Sequence, residues 1–129
     1  ARAFTFKLAP RYISFNVVIL DKLDIKVPKE QKRKFKSGLA FLKAARMDRS
    51  GQIFSELMQE TGQQSYAIAY NLGLIKEATA DYEEAKQLYH LADSLTGKPV
   101  EEINLALRRI DQVIADRNKA LEQIEQKRQ

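Results

Sequence analysis

The chain contains no cysteine. That excludes disulfides, thiol catalysis and cysteine-ligated metals, and leaves the redox compartment open. Histidine is nearly absent too. The one copy, His90, follows Tyr89 on a helical pattern and is expected to point sideways or outward, and neither Ser50 nor Ser65 finds in it a base partner. No glycine-rich phosphate loop and no metal-ligand spacing occurs, so no cofactor and no metal is implied. The acidic pairs Glu83-Glu84 and Glu101-Glu102 fall in first helical turns, where the helix dipole already accounts for them. The chain is therefore not expected to be an enzyme. No run of eighteen apolar residues exists, so no transmembrane segment is expected. No secretory leader is visible, and the start at Ala1 rather than Met suggests a processed product or part of something longer.

What is present fits one soluble globular domain. The 129 residues are 44% hydrophobic and 30% charged, enough for a modest core and too apolar for disorder. The net charge of +5 is unevenly spread. Residues 1–49 carry 13 Lys or Arg against 4 Asp or Glu, residues 50–97 carry 2 against 7, and the remainder is nearly balanced. A basic front and an acidic middle can attract each other or face separate partners.

Residues 1–27 read as a β segment. Phe4, Phe6 and Leu8 alternate with Thr5 and Lys7. Beyond Ala9-Pro10, Ile13, Phe15, Val17 and Ile19 alternate with Tyr12, Ser14 and Asn16. Such period-two patterning predicts a hairpin. Because a lone hairpin is marginal in water, it must pack on the helices, join a sheet from a missing domain, or pair with another copy.

From Pro28 onward the period becomes helical. A first helix buries Phe35, Leu39, Leu42 and Ala45/Arg46 and ends near Met47-Asp48. A second covers about 49–61, with Ile53, Phe54, Leu57 and Met58 on its apolar face and Gly62 as its stop. The third runs from Ser65 to Ala78 and the fourth from Tyr82 to Leu95. Asp81 with Glu84 has the spacing of a capping box. Gly97 closes the fourth helix, and Pro99 opens a fifth that reaches about Lys127, about 40 Å at ~1.5 Å per residue. Its seam of Ile103, Leu107, Ile110, Ile114, Leu121 and Ile124 is interrupted by Arg117 and is longer than two short neighbours can cover.

Within residues 66–92, YAIAYNLGLIKEATADYEEAKQLYHLA, small residues stand where two helices would touch. Counting from Tyr66, Leu72 and Gly73 are seventh and eighth, Tyr82 seventeenth, Ala85 twentieth, Tyr89 twenty-fourth and Ala92 twenty-seventh. This spacing resembles the tetratricopeptide repeat, a helix–turn–helix unit of about 34 residues. Lys76 replaces the usual aromatic at position eleven, and the usual proline is displaced to Pro99. Thirty-five residues earlier, Gly38, Ser50, Phe54 and Leu57 take the places of Gly73, Ala85, Tyr89 and Ala92, and Phe41 fills position eleven. The resemblance implies a mainly α fold of two antiparallel helix pairs over residues 31–98. A generic helical bundle would give the same helix count. The domain would span residues 28–129, with residues 99–127 as its capping helix.

The resemblance also implies a function, a scaffold for protein–protein interaction within a larger protein or assembly. In that family the first helix of each repeat lines a concave surface. Asn71 stands where relatives often hydrogen-bond a ligand backbone, Lys36 matches it in the earlier copy, and Lys32 lies one turn before. These three would form a basic, amide-bearing groove for an acidic peptide; Asn71 reads equally well as an ordinary solvated residue. Two alternatives stay open. In one, the long helix self-associates through Ile110, Ile114, Leu121 and Ile124, left wet by their neighbours. In the other, the run KEQKRKFK at 29–36 serves a membrane or nucleic acid through Lys32, Arg33, Lys34 and Lys36, although the acidic middle interrupts any continuous nucleic-acid face. The compartment stays open between the cytoplasm and the bacterial cell envelope or periplasm, toward which the resemblance leans because such repeats often follow β-rich domains there.

Overall fold

Pro28 marks the change from extended to helical backbone. Its φ of −59° and ψ of 156° place it as the cap of the first helix rather than inside it. The computed structural model describes residues 3–8 and 13–128. The protein is mainly helical, with a two-stranded antiparallel sheet at its start. The strands are β1 (Ala3–Leu8) and β2 (Ile13–Val18), and the helices are α1 (Lys29–Lys43), α2 (Met47–Glu60), α3 (Tyr66–Ala78), α4 (Tyr82–Leu95) and α5 (Glu101–Arg128). Phe4 pairs with Val17, Phe6 with Phe15 and Leu8 with Ile13, the register the alternation demands. The expected connection through Ala9, Pro10 and Tyr12 lies outside the described residues. β2 stops at Val18, so Ile19 belongs to the extended segment that follows. Among the described residues no helix is long and apolar enough to cross a membrane.

Each helix packs on the next in sequence. The first pair is antiparallel: Lys34, early in α1, meets Glu56 and Glu60, late in α2, while Gly38 at mid-helix meets Phe54. The second repeats the arrangement, with Lys76 beside Glu84 and Gly73 against Tyr89.

The two turns are also alike. Arg46 N–H donates to the Phe41 carbonyl at 2.8 Å, and 35 residues on Asp81 N–H donates to that of Lys76, also at 2.8 Å. Ala45 and Ala80 hold the same left-handed conformation, φ +59° and +67°. Alanine there costs roughly 1–2 kcal/mol, a cost that glycine would not carry. This geometry ends α1 at Lys43, short of the Met47-Asp48 expected from its pattern, and sets Ala45 and Arg46 outside the helix on the exposed surface. It also displaces the expected capping box. Asp81 makes no side-chain cap, and Glu84 pairs with Lys76 at 3.5 Å.

α3 is the centre of the molecule. Residues 67–75 and Glu77 are all buried. A helix apolar on every side must be covered on every side. α2 and α4 cover two flanks, and β1 and the segment after β2 cover another. α5 closes on α4, burying Ile103, Ala106, Ile110 and Val113.

Candidate functional site

Residues 19–28 form neither helix nor strand. They run as a strap beside α3, and α3 supplies the groups that hold it. Tyr70 Oη donates to the Val18 carbonyl at 2.7 Å. The Asn71 amide accepts from Leu20 N–H at 3.1 Å and donates to the Leu20 carbonyl at 2.8 Å. Val17 and Ile19 are buried on the same side. Asp24 then reaches the start of α3, accepting from Ser65 Oγ at 2.5 Å and from the backbone N–H groups of Tyr66 and Ala67 at 3.1 Å each. Those N–H groups have no partner inside the helix, and a carboxylate suits the positive end of its dipole.

The alternative reading of Asn71 as an ordinary solvated residue does not hold, because its exposure is 0%. It does bind a backbone, and that backbone belongs to this chain. The three residues expected to share a groove are thereby divided. Asn71 lies under the strap, whereas Lys32 and Lys36 are exposed on α1. These two lysines line a different recess, a cleft of about 300 Å³ between the strap and α1. Leu23, Ile25 and Phe35 provide its apolar surface, and Lys26 joins Lys32 and Lys36 around it, with Asp21 also lining it. Lys34, grouped with them in sequence, instead pairs with Glu60 and Glu56 at 2.8 and 2.9 Å, and these hydrogen bonds hold its pKa above the ordinary lysine value.

The signature residues of the helix pairs are core. Leu72, Ala85, Tyr89 and Ala92 are buried, and Gly38 and Gly73 face the rings of Phe54 and Tyr89. A charged cluster unseen in the sequence lies beneath them. Glu77, 1% exposed, accepts from Arg109 Nε and a terminal guanidinium nitrogen at 2.8 Å each and from Tyr89 Oη at 2.6 Å. Burial opposes the Arg109 charge, but the bond to Glu77 and its charge outweigh this and raise the pKa. Burial likewise pushes the Tyr89 phenol well above its ordinary value, and the Glu77 carboxylate adds to the shift. The signals for this cluster were a lone acid inside the apolar run LGLIKEA and an arginine one step from the seam. Its three groups fasten α3, α4 and α5 together.

The seam of α5 is only partly open. Ile110 is fully buried and Ile114 half-buried against the core, so neither stays wet as expected. Arg117 fills its slot by pairing with Glu83 and lying over the Tyr82 ring at 5.7 Å. Beyond it, Leu121 and Ile124 are 55% and 50% exposed. His90 is exposed. The chain matches no protein-family model, no curated protein and no solved structure, so a functional reading rests on its own geometry.

Proposed function

We propose that the chain is a non-catalytic scaffold for protein–protein interaction, built as two tetratricopeptide-like helix pairs with α5 as the cap, and working within a larger protein or assembly. The observation that carries this reading is the 35-residue recurrence. Gly38 on Phe54 returns as Gly73 on Tyr89, and the left-handed Ala45 returns as Ala80 with the same turn hydrogen bonds. Repeats of this kind bury their apolar faces by stacking and leave an extended surface for a partner. The test is affinity capture by the immobilised full chain, followed by titration of each purified captured protein. A stoichiometric complex supports the scaffold. Capture no different from that of a charge-matched control protein overturns it.

A second reading is favoured by one observation, the exposure of Leu121 and Ile124 on a helix that outruns α4. Here the chain oligomerises through α5. Sedimentation of the full chain against Leu121→Lys/Ile124→Lys decides it, since a monomer in both cases removes the reading.

A further inference from the structure

We propose that the cleft between the strap and α1 receives an acidic peptide segment, which inserts one apolar side chain against Leu23, Ile25 and Phe35 and sets its carboxylates beside Lys26, Lys32 and Lys36. This deepens the scaffold reading and rests on it. The surface once expected to bind a partner at Asn71 is filled by residues 18–20, and the cleft is a new recess that the strap itself creates against α1. Its three lysines are exposed and form no ion pair among the described residues, while Lys34, between Lys32 and Lys36 in sequence, is committed to Glu56 and Glu60. Asp21 places one negative charge against three positive ones, so the rim stays net positive. The volume of about 300 Å³ lies at the lower end for ligand pockets and has room for an apolar side chain with the backbone beside it.

Two other anionic partners fit less well. A membrane surface favours exposed apolar anchors next to the basic groups, but among the residues whose burial is described the exposed large apolar ones, Leu105, Leu121 and Ile124, all lie on α5. Single-stranded nucleic acid favours exposed rings for stacking, and Phe35, the aromatic residue of the cleft, is 4% exposed.

The experiment is fluorescence anisotropy with the full chain and three dye-labelled synthetic peptides: one with a leucine flanked by glutamates, one with that leucine replaced by serine, and one with the glutamates replaced by lysines. The first is expected to bind about tenfold more tightly than either other, and about tenfold more weakly to Lys32→Glu/Lys36→Glu. That affinity should fall with added salt. Both substitutions are exposed, so circular dichroism of the variant should be unchanged. Equal binding by the double variant, equal binding of the lysine peptide, or no binding of the first peptide overturns the proposal. Binding of phosphatidylglycerol vesicles in place of the first peptide overturns it in favour of a membrane. If the double variant captures partners as the parent chain does, the cleft is excluded while the scaffold reading stands.

Discussion

Asn71 pairs with Leu20 as one peptide group pairs with another across a sheet, accepting from its N–H and donating to its carbonyl. A side-chain amide carries an acceptor oxygen and a donor nitrogen on one carbon, as a peptide group does. Asn71→Ala leaves two backbone groups of the strap without partners beside a buried face. The expected loss is about 2–3 kcal/mol, read from urea unfolding. Asn71→Asp keeps the shape but cannot donate, and should cost at least as much at neutral pH. A loss below about 0.5 kcal/mol for both would mean that water replaces the amide.

Gly73→Ala and Gly38→Ala are expected to differ. A Cβ on Gly73 would lie 2.5 Å from the Tyr89 ring, which is buried and tied through its hydroxyl to Glu77. A Cβ on Gly38 would lie 3.0 Å from the Phe54 ring, which has no polar tether. Alanine recovers about 1 kcal/mol of helix propensity at either site. Gly38→Ala should therefore fall within about 1 kcal/mol of neutral, and Gly73→Ala should destabilise by about 2 kcal/mol. Equal effects would show that the Tyr89 ring moves as freely as that of Phe54.

Glu77→Gln leaves the Arg109 guanidinium largely buried without its counter-charge. Breaking such a pair costs about 3 kcal/mol. Glu83→Gln removes the partner of Arg117 at the surface, where the loss should stay below about 1 kcal/mol. Thermal unfolding of the two variants makes the comparison, and similar melting temperatures would refute it.

Alkaline pH should weaken the fold through its buried phenols. Burial raises the pKa values of Tyr70 and Tyr89 above the ordinary tyrosine value. For groups raised in the folded state, the stabilisation is fully present below the unfolded value of about 10 and is lost as pH climbs past it. The unfolded chain then sheds phenol protons that the folded chain keeps. Lysine ion pairs weaken in the same range, so the contrast with Tyr89→Phe isolates the effect. Its stability should fall less steeply with pH, and parallel curves would contradict the assignment.

Residues 66–95 were readable because two signals coincide there. Helical periodicity placed α3 and α4 to within a residue, and the Gly73-to-Tyr89 spacing named the residues that touch. The paired β segment was legible from alternation alone. Asn71 shows where such reading stops, since its spacing marks a residue that binds a backbone but not whose backbone. Glu77 and Arg109 were hidden for a related reason: 32 positions apart, each looks like an ordinary surface charge until α5 folds back on α4. The cleft depends on where the strap crosses α1, and no local pattern encodes that crossing.

The strap's contacts also bear on the order in which the molecule assembles. Leu20 to Asn71 spans 51 positions and Asp24 to Ala67 spans 43, whereas Lys34 to Glu60 spans 26 and Tyr89 to Glu77 only 12. Short loops close at smaller entropic cost, so the helix pairs should form first and the strap should arrive late. Asp24→Ala is then expected to speed unfolding while leaving the refolding limb of the chevron nearly unchanged, and a slowed refolding limb would place the strap in the nucleus instead. On this route the nascent helices briefly present an uncovered α3, and the N-terminal segment acts as the latch that ends that exposure.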